Sequence, residues 1–374
     1  MSDLGQYFTT NTLLKNKVME FILNEPDNIL EPSVGRGDLV AHVLNRYPHI
    51  TFDMYEIDNT IPTEVGNITY CDFLTCQITK KYKTIIGNPP YVRTKKGNLY
   101  IDFVRKCYGL LEDNGELVFI IPSDFLKLTC ASSLLNEMLT SGSITHIYHP
   151  HDEKLFDGAS IDVIVLRYCK ANVERVLYNN SYLYTYNSNG LITFSEEKLD
   201  STILFSSCFD IYVGMVSGKD SVYKNNIGNI EVCTGDGKYE RYIYINEYPC
   251  DNKNINAYML KNKNLLLARR IKKFNNDNWY EWGAPRNVGV ITSNMGQDCI
   301  YIHNLTRKKN ISFVGVVNYF GGNLLMLKPK REMDLTKFIS YFNSSRFKNN
   351  FMFSGRFKIG HRQLCNSFIP SSCF

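Results

Sequence analysis

The first half of the sequence alternates strand-like and helix-like segments, and this pattern restricts the possible folds more than any other feature. Short apolar segments such as NILEP, FDMYEID and YKTIIG are separated by segments with apolar residues at helical spacing. GELVFIIP is a near-continuous apolar run, typical of a strand buried on both faces of a sheet. The alternation predicts a mostly parallel α/β sheet with helices on both faces. ITHIYH and IDVIVLRY leave no room for a helix between them, which predicts an antiparallel pair at one edge.

The second half has a different composition. After about residue 175 the chain is rich in Asn, Tyr and Lys and contains short β-like segments such as RYIYINEY and ISFVGVVNYF. A shift of this kind predicts a second module, α+β or β-rich, and we place the boundary between a domain of residues 1–200 and a domain of residues 201–374. The chain of 374 residues, 44% hydrophobic, is long enough to build a core in each.

Cysteine usage and the N-terminus indicate a compartment. The 11 cysteines are an odd number with no C-x2-C pair, which argues against a zinc site and against a disulfide framework. No apolar run approaches a membrane span, and MSDLGQYFTT lacks the regions of a signal peptide. We therefore expect a soluble intracellular protein with free thiols in a reducing compartment. The net charge of +5 permits an acidic partner without identifying one.

A glycine-rich segment, EPSVGRG, follows the first predicted strand. Ligands of open α/β sheets bind beyond the carboxyl ends of the strands, and a backbone without side chains at Gly35 lets a ligand approach closely. Glu31 and Pro32 precede it, and a carboxylate there favours a ligand with an ammonium or sulfonium charge. The third glycine of a dinucleotide-binding fingerprint is missing.

Acidic residues follow the next two predicted strands. Glu56 lies about twenty residues after the glycines, an offset at which an acid commonly accepts hydrogen bonds from ribose hydroxyls. A solvated loop carboxylate is the alternative. Asp72 and Phe73 could bind the amino group and the ring of adenine, although Asp72 is also a favoured helix N-cap.

The segment GNPPYV ends the strand YKTIIG. Pro89 and Pro90 have no N–H and fix the backbone, so nearby carbonyls stay rigid and without neighbouring donors. Asn88 adds an acceptor oxygen and Tyr91 adds an aromatic face. Rigid acceptors beside a stacking surface suit a planar group with an NH2, whereas a proline-stiffened turn is the structural alternative.

Taken in order, these motifs resemble those of the S-adenosylmethionine-dependent N6-adenine DNA methyltransferases of the gamma arrangement, the TaqI type, over residues 5 to about 168. The resemblance implies a Rossmann-like methyltransferase sheet and S-adenosyl-L-methionine as cofactor, without a metal. It implies that Thr9, in GQYFTT, helps to hold the cofactor and that Asn88–Tyr91 form the catalytic quartet. Phe156, before an edge strand, would stack on the target base. The implied cofactor-binding set is Thr9, Glu31, Pro32, Gly35, Glu56, Asp72 and Phe73.

The C-terminal half resembles the family's target-recognition domain at VGMVSGKDSVY and SGRFKIGHRQLCNSFIP. Basic residues beside aromatic ones suit contact with phosphates and bases, and the basic segments ARRIKKF, TRKKN and GRFKIGHR fit this description. For Lys272 and Lys273 individually, a solvated helical face is the better interpretation. The DNA-binding candidates are Lys219, Arg269, Arg307, Arg356, Lys358, His361 and Arg362.

The expected activity is methyl transfer to N6 of an adenine flipped out of a short duplex DNA sequence, as part of, or derived from, a restriction-modification system. We expect a monomer that binds double-stranded DNA, with any cognate restriction endonuclease acting separately and no membrane partner. The alternatives are a methyltransferase for RNA adenine or protein glutamine, or an inactive DNA-binding homologue. A cytosine-N4 enzyme more often has serine in place of Asn88.

Overall fold

The structure, a computed structural model, describes residues 7–94, 97–156, 160–200 and 203–374. The chain divides into two compact units. The first holds the described residues up to Leu199 together with Phe353–Gly355. The second holds the described part of Asp200–Met352 and Arg356–Phe374.

The first unit contains both helices and strands. Its helices are α1 (Thr12–Phe21), α2 (Asp38–Arg46), α3 (Leu99–Leu110) and α4 (Ser132–Ser141). Its strands are β1 (Asn28–Glu31), β2 (Thr51–Glu56), β3 (Ile68–Tyr70), β4 (Tyr82–Gly87), β5 (Arg93–Thr94), β6 (Gly97–Asn98), β7 (Leu111–Pro122), β8 (Ser143–Tyr148), β9 (Val163–Cys169), β10 (Arg175–Tyr178), β11 (Ser181–Ser188) and β12 (Leu191–Ser195).

Within the described residues, ten of these strands form one sheet in the order β12-β11-β10-β8-β9-β7-β4-β1-β2-β3. The half from β7 to β3 is parallel throughout, which confirms the predicted mixed α/β fold with a large, mostly parallel sheet. β8 and β9 are antiparallel, as predicted, but they do not form the edge. Residues 175–195 extend the sheet beyond them as β10, β11 and β12, whose backbones pair with one another and with β8 and whose residues Val176, Leu191 and Ile192 are buried.

Burial follows the sequence pattern closely in β7. Leu117 to Ile121 are fully buried, since helices cover both faces of this central strand. Helix α1 begins where Asn11 Oδ1 accepts hydrogen bonds from the N–H groups of Leu13 and Leu14, at 3.0 and 3.2 Å. Its apolar face, with Leu14 and Val18 fully buried, packs in the same core as β7.

A buried ion pair joins the sheet to the end of α1. Glu116 on β7 is fully buried, and its Oε2 lies 2.7 Å from Nε of Arg167 on β9. Glu116 also accepts hydrogen bonds from Thr84 Oγ1 and from the N–H groups of Leu23 and Asn24. The carboxylate therefore satisfies donors from β4, β9 and the segment after α1 at once.

The second unit is an α+β assembly of short elements. Its strands are β13 (Ile203–Leu204), β14 (Phe209–Val213), β15 (Ile230–Gly235), β16 (Lys238–Tyr242), β17 (Asp298–His303), β18 (Leu305–Thr306), β19 (Ser312–Val316), β20 (Leu324–Pro329), β21 (Met352–Phe353), β22 (Arg356–Lys358) and β23 (Phe368–Ile369). Its helices are α5 (Phe205–Cys208), α6 (Asp220–Tyr223), α7 (Lys253–Lys261), α8 (Lys263–Leu267), α9 (Val288–Ser293), α10 (Leu335–Asn343), α11 (Ser345–Lys348) and α12 (His361–Cys365).

Its central feature is the antiparallel sheet β14-β20-β17-β19. One face packs on a core that contains Trp279 and Trp282, and Trp282 Nε1 donates to the carbonyl of Ile243. Strand β18 pairs with β22 in a small separate sheet. No helix in the described part of the chain is both long and apolar enough to cross a bilayer.

The expectation of free thiols is confirmed for nine of the eleven cysteines and fails for two. Cys71 and Cys76 are bonded to each other as a disulfide, whereas the other nine cysteines are free. The turn after β3 brings them together, because the N–H groups of Thr75 and Cys76 both donate to the carbonyl of Asp72. The odd count and the spacing gave no sign of this local pair.

The buried pair predicts a large effect of one substitution on the first unit. Glu116→Gln keeps the shape of the side chain but leaves Arg167 buried without a counter-charge, so the unit should lose about 3 kcal/mol of stability. Urea unfolding followed by circular dichroism measures the loss. Glu174→Gln, which removes an exposed pair with Lys198, is the matched control and should leave the midpoint unchanged. Equal midpoints for both variants would contradict the interpretation.

Candidate functional site

Four adjacent parallel strands end at the same edge of the first unit's sheet. Glu31 is the last residue of β1 and Glu56 the last of β2. Asn88 directly follows β4, and Asp72 follows β3 after one intervening residue. Because β1 lies between β4 and β2, and β3 lies beyond β2, the parallel pairing brings these four polar residues together, as the sequence predicts.

A cavity of about 210 Å³ opens at this edge. Residues from every predicted strand end contribute to its wall: Pro32, Gly35, Glu56, Asp72, Phe73, Asn88 and Pro90. A smaller cavity of about 30 Å³ shares Tyr7, Phe8 and Asn88 with it and is also lined by Thr9 and Glu31. The two cavities therefore meet at Asn88.

The glycine loop is held by Glu56. Its Oε2 accepts the N–H of Gly35 at 2.9 Å, and its Oε1 accepts the N–H groups of Ile57 and Asp58 at 2.8 and 3.0 Å. Gly35 and Gly37 both have positive φ, at 54° and 86°, which favours glycine. A carboxylate oxygen can accept more than one hydrogen bond, so Glu56 fixes the loop and still presents acceptor capacity to the cavity.

Glu31 is a buried acidic residue. Its side chain is 2% exposed, and burial raises its pKa to about 8, with the nearby charge of Glu56 acting in the same direction. The N–H of Ser33 donates to Oε1 at 3.1 Å and opposes this shift. Glu31 is consequently poised to become charged when a cation is placed beside it.

Asp72 and Phe73 form the far wall of the larger cavity. Asp72 Oδ1 accepts the N–H of Leu74 at 3.0 Å and stabilises a turn; residues 73–76 form no helix for it to cap, and Asp72 also lines the cavity. The buried ring of Phe73 stacks on Phe103 with centroids 5.5 Å apart. Lys106 Nζ donates to the carbonyls of Phe73 and Cys76, which anchors this turn to α3.

Asn88 has an amide whose contacts define its orientation. Nδ2 donates to the carbonyl of Tyr7 at 2.8 Å and to Thr9 Oγ1 at 3.0 Å. Oδ1 accepts the hydroxyl of Tyr91. Strand β4 approaches this point without a side chain, because a Cβ at Gly87 would lie 3.1 Å from Oε1 of Glu31.

Tyr91 and Phe156, the predicted stacking residues, lie in one aromatic cluster. Their centroids are 6.2 Å apart with nearly perpendicular rings, and Phe156 is 4% exposed. Tyr7 stacks on Tyr91 at 5.5 Å. The Tyr91 hydroxyl shares its one hydrogen between Asn88 Oδ1 and the carbonyl of Ile120, which lies 3.0 Å away, and burial raises the pKa of Tyr91 well above its usual value. Tyr91 is therefore a neutral hydrogen-bond donor.

Sequence reasoning missed Tyr7. It contributes a carbonyl to Asn88, a ring to Tyr91 and a wall to both cavities. The only signal available was its place in GQYFTT, the segment that already supplied Thr9.

The basic candidates of the second unit fall into two groups. Strand β18 pairs with β22 through Thr306 and Phe357, so the exposed Arg307 follows β18 beside the strand that carries Arg356 and Lys358. Their segments, TRKKN and GRFKIGHR, are thus neighbours. Elsewhere in the unit, half-buried Lys219 precedes α6, and His361 and Arg362 begin α12, where His361 Nε2 lies 2.9 Å from the carbonyl oxygen of Ile211.

Arg269 does not fit the surface role predicted for it. It is 7% exposed, and its guanidinium donates to four main-chain carbonyls, those of Ser217, Leu266, Trp279 and Glu281. The guanidinium also lies 3.7 Å from the ring centroid of Phe274. Arg269 therefore organises the interior of the second unit, and we remove it from the DNA-binding set. Lys272 pairs with Glu281 at 2.7 Å.

In the ranges that the structure describes, no three or more His, Cys, Asp or Glu side chains come together in a way that could hold a metal ion.

Comparisons with known proteins match the first unit most clearly. Residues 38–156 match the family described as Eco57I restriction-modification methylase. Type II methyltransferase M.HincII of Haemophilus influenzae is 31% identical over 198 residues, which cover 46% of this chain and 39% of that protein. Modification methylase CviBIII of Paramecium bursaria Chlorella virus NC1A is 35% identical over 147 residues, covering 33% and 38%. The chain thus spans about two-fifths of the length of these relatives.

A solved structure extends the likeness in fold beyond the first unit. The type IIL restriction-modification enzyme MmeI, determined in complex with DNA, aligns with 94% of this chain and 63% of its own, with a TM-score of 0.59 and 12% identity. This likeness shows the fold alone. The sequence matches show that the N-terminal half of the chain is similar to the methylases of restriction-modification systems, as the motifs indicate.

Proposed function

We propose that this protein transfers a methyl group from S-adenosyl-L-methionine to N6 of an adenine flipped out of a specific duplex DNA sequence. The observation that carries the proposal is the convergence of Glu31, Glu56, Asp72 and Asn88 on connected cavities at one sheet edge. In this set, Glu31 can bind a cation, Glu56 can accept hydrogen bonds from hydroxyls, and the amide oxygen of Asn88 can accept a hydrogen bond from an amine.

The residues at the edge fit S-adenosyl-L-methionine by their chemistry. Glu31 would face the positively charged methionine part, Glu56 would accept ribose hydroxyls, and Asp72 with Phe73 would hold the adenine. Pro32 and Gly35 complete the wall with no charge that would oppose this ligand. When bound, the cofactor supplies an activated methyl group on its sulfonium.

Asn88 and Pro89 act on the nucleophile. An exocyclic adenine amine reacts poorly because its lone pair is delocalised into the ring. If Asn88 Oδ1 and the carbonyl of Pro89 each accept one N6 hydrogen, the lone pair becomes localised and directed at the methyl group. Pro89 and Pro90 keep these acceptors stationary, and the excess proton leaves the methylated amine to solvent without a dedicated base.

Stacking on Tyr91 and Phe156 would offset the cost of flipping the base, about a few kcal/mol. In the structure the face of Tyr91 contacts Tyr7, and its hydroxyl contacts Asn88. The incoming base would replace the ring of Tyr7 on Tyr91. The amide oxygen of Asn88 has two lone pairs and can serve Tyr91 and the amine together.

The basic segments of the second unit are proposed to bind the DNA backbone. Arg307, Lys308 and Lys309 are exposed at the end of β18, beside β22. Arg356 on β22 lies beside these residues, because β22 pairs with β18, and it adds a further guanidinium to the set. Lys219, Lys358, His361 and Arg362 complete the set.

The activity itself is tested by incubating the protein with plasmid DNA and tritiated S-adenosylmethionine, followed by sequencing that detects N6-methyladenine. Matched incubations with total RNA and with a glutamine-containing peptide separate the alternative substrates. Incorporation into N4-methylcytosine, RNA or peptide, or none into DNA, would contradict the proposal.

Asn88→Ala tests the catalytic assignment. Loss of one positioned acceptor should slow methyl transfer in single turnover by about 100-fold or more, while cofactor affinity scarcely changes. Asn136→Ala, which alters an exposed asparagine on α4, is the control and should keep the full rate. Transfer by Asn88→Ala at the wild-type rate would mean that GNPPYV is only a stiff turn.

Glu31 predicts a pH dependence of cofactor binding. Its pKa of about 8 leaves it uncharged at neutral pH, and a bound cation favours the charged form. Binding should therefore release a proton, and affinity should rise with pH from 5.5 to 7, by up to about tenfold per unit. Calorimetry in buffers of different ionisation enthalpy measures the number of protons released. The amine of S-adenosylmethionine stays protonated between pH 5.5 and 7, so it does not contribute to the release. Glu31→Gln should bind weakly and without the pH dependence, and an unchanged dependence would refute the assignment.

Arg307→Ala tests the DNA-binding surface. If the guanidinium neutralises one phosphate, the slope of log K against log salt should fall by about 0.9 in fluorescence anisotropy titrations. Lys261→Ala, at the exposed end of α7, removes the same charge from a different part of the unit and is the control. Identical slopes for both variants would place Arg307 outside the interface.

A further inference from the structure

The orientation of the Asn88 amide is a condition for the proposed reaction. An asparagine side chain has two orientations of almost the same shape, which exchange Oδ1 and Nδ2. Only one presents an acceptor to the target amine. The other presents N–H groups to the N–H groups of the amine, which repels the substrate.

Two groups of the N-terminal segment contact the amide: the carbonyl of Tyr7 selects its orientation, and the hydroxyl of Thr9 helps to hold it in place. The carbonyl of Tyr7 can only accept, so its 2.8 Å contact requires Nδ2 at that position. Thr9 Oγ1, at 3.0 Å, takes the second hydrogen of Nδ2. Both hydrogens of the amide are thereby used on the side away from Tyr91, and Oδ1 points to the Tyr91 hydroxyl.

Thr9 is well placed to hold this arrangement. Its side chain is 5% exposed, so bulk water cannot easily replace it as a partner for Nδ2. It lies 79 residues before Asn88 in the chain, yet it contacts the amide directly. The smaller cavity places it beside Glu31 and Asn88.

We infer that Thr9 is a positioning residue for Asn88: the carbonyl of Tyr7 sets the orientation of the amide, and the buried hydroxyl of Thr9 holds Nδ2 in place, so that Thr9 contributes to the rate of transfer and not to the binding of the cofactor. This inference rests on the proposed function. It replaces the cofactor-holding role that the resemblance implies for Thr9.

Thr9→Val and Thr9→Ser form the matched pair that tests it. Valine keeps the shape and removes the acceptor, whereas serine keeps the acceptor. With DNA and S-adenosylmethionine saturating, Thr9→Val should lower the single-turnover rate constant about tenfold, the scale of one buried hydrogen bond. The calorimetric Kd for S-adenosylmethionine should stay within about twofold of wild type, and Thr9→Ser should recover most of the rate.

Other outcomes would overturn the inference. A weaker cofactor Kd at an unchanged rate constant would make Thr9 a cofactor ligand. If the rate constant and the Kd of Thr9→Val both equal the wild-type values, Thr9 has no role in transfer or in cofactor binding. A loss of both that serine does not recover would indicate a local structural defect.

A second readout does not depend on activity. In protein labelled with ¹⁵N-asparagine, the side-chain amide of Asn88, identified from its absence in Asn88→Ala, should exchange with solvent faster in Thr9→Val than in wild type or Thr9→Ser. Equal exchange in all three would refute the contact. An inactive wild-type protein with the expected exchange pattern would instead refute the proposed function while leaving the contact in place.

Discussion

The pairing of β1 with β4 on one side and β2 on the other is the constraint on which the site depends. Ile29 pairs with Thr84, and the same residue pairs with Phe52, so this register sets how far each strand extends at the edge. Parallel strands all end on the same side, and the residues after them must meet there. A shift of one residue in β1 would turn Glu31 to the opposite face of the sheet.

Glu31 shows that this edge is built at a cost to stability. Burial and a second nearby acid raise the pKa of Glu31 from 4.5 to about 8. The folded state therefore loses stability as the pH rises from about 4.5 to 8. The first unit has its structural ion pair elsewhere, at Glu116 and Arg167, where the two charges neutralise each other. The contrast between a paired and an unpaired buried acid in one sheet is a physical reason to connect Glu31 with a cationic ligand.

The parts of the fold that sequence reasoning anticipated were determined by local patterns. Apolar runs ended by glycine or proline located β1, β4 and β7, and parallel pairing then located the site. The missed features depend on contacts between distant residues. Arg269 became buried because four carbonyls converge on it, and β10 to β12 joined the first sheet through backbone pairing that the local sequence pattern does not specify. The Tyr7 contacts with Asn88 join residues 81 apart.

Rigidity around Asn88 follows from the chemistry proposed for it. A hydrogen-bond acceptor lowers the activation barrier of methyl transfer only if it does not have to move as charge develops on the amine. The free-energy cost of such movement would cancel the stabilisation from the hydrogen bond. Every neighbour of Asn88 opposes such movement. Pro89 and Pro90 restrict the backbone after it, Gly87 allows β4 to pack against Glu31 before it, and the amide itself is held from both sides. A turn that only reversed the chain would require the prolines but not the three side-chain contacts. The three contacts are therefore better explained by a need to fix the position of Asn88 Oδ1 than by a need to direct the path of the backbone.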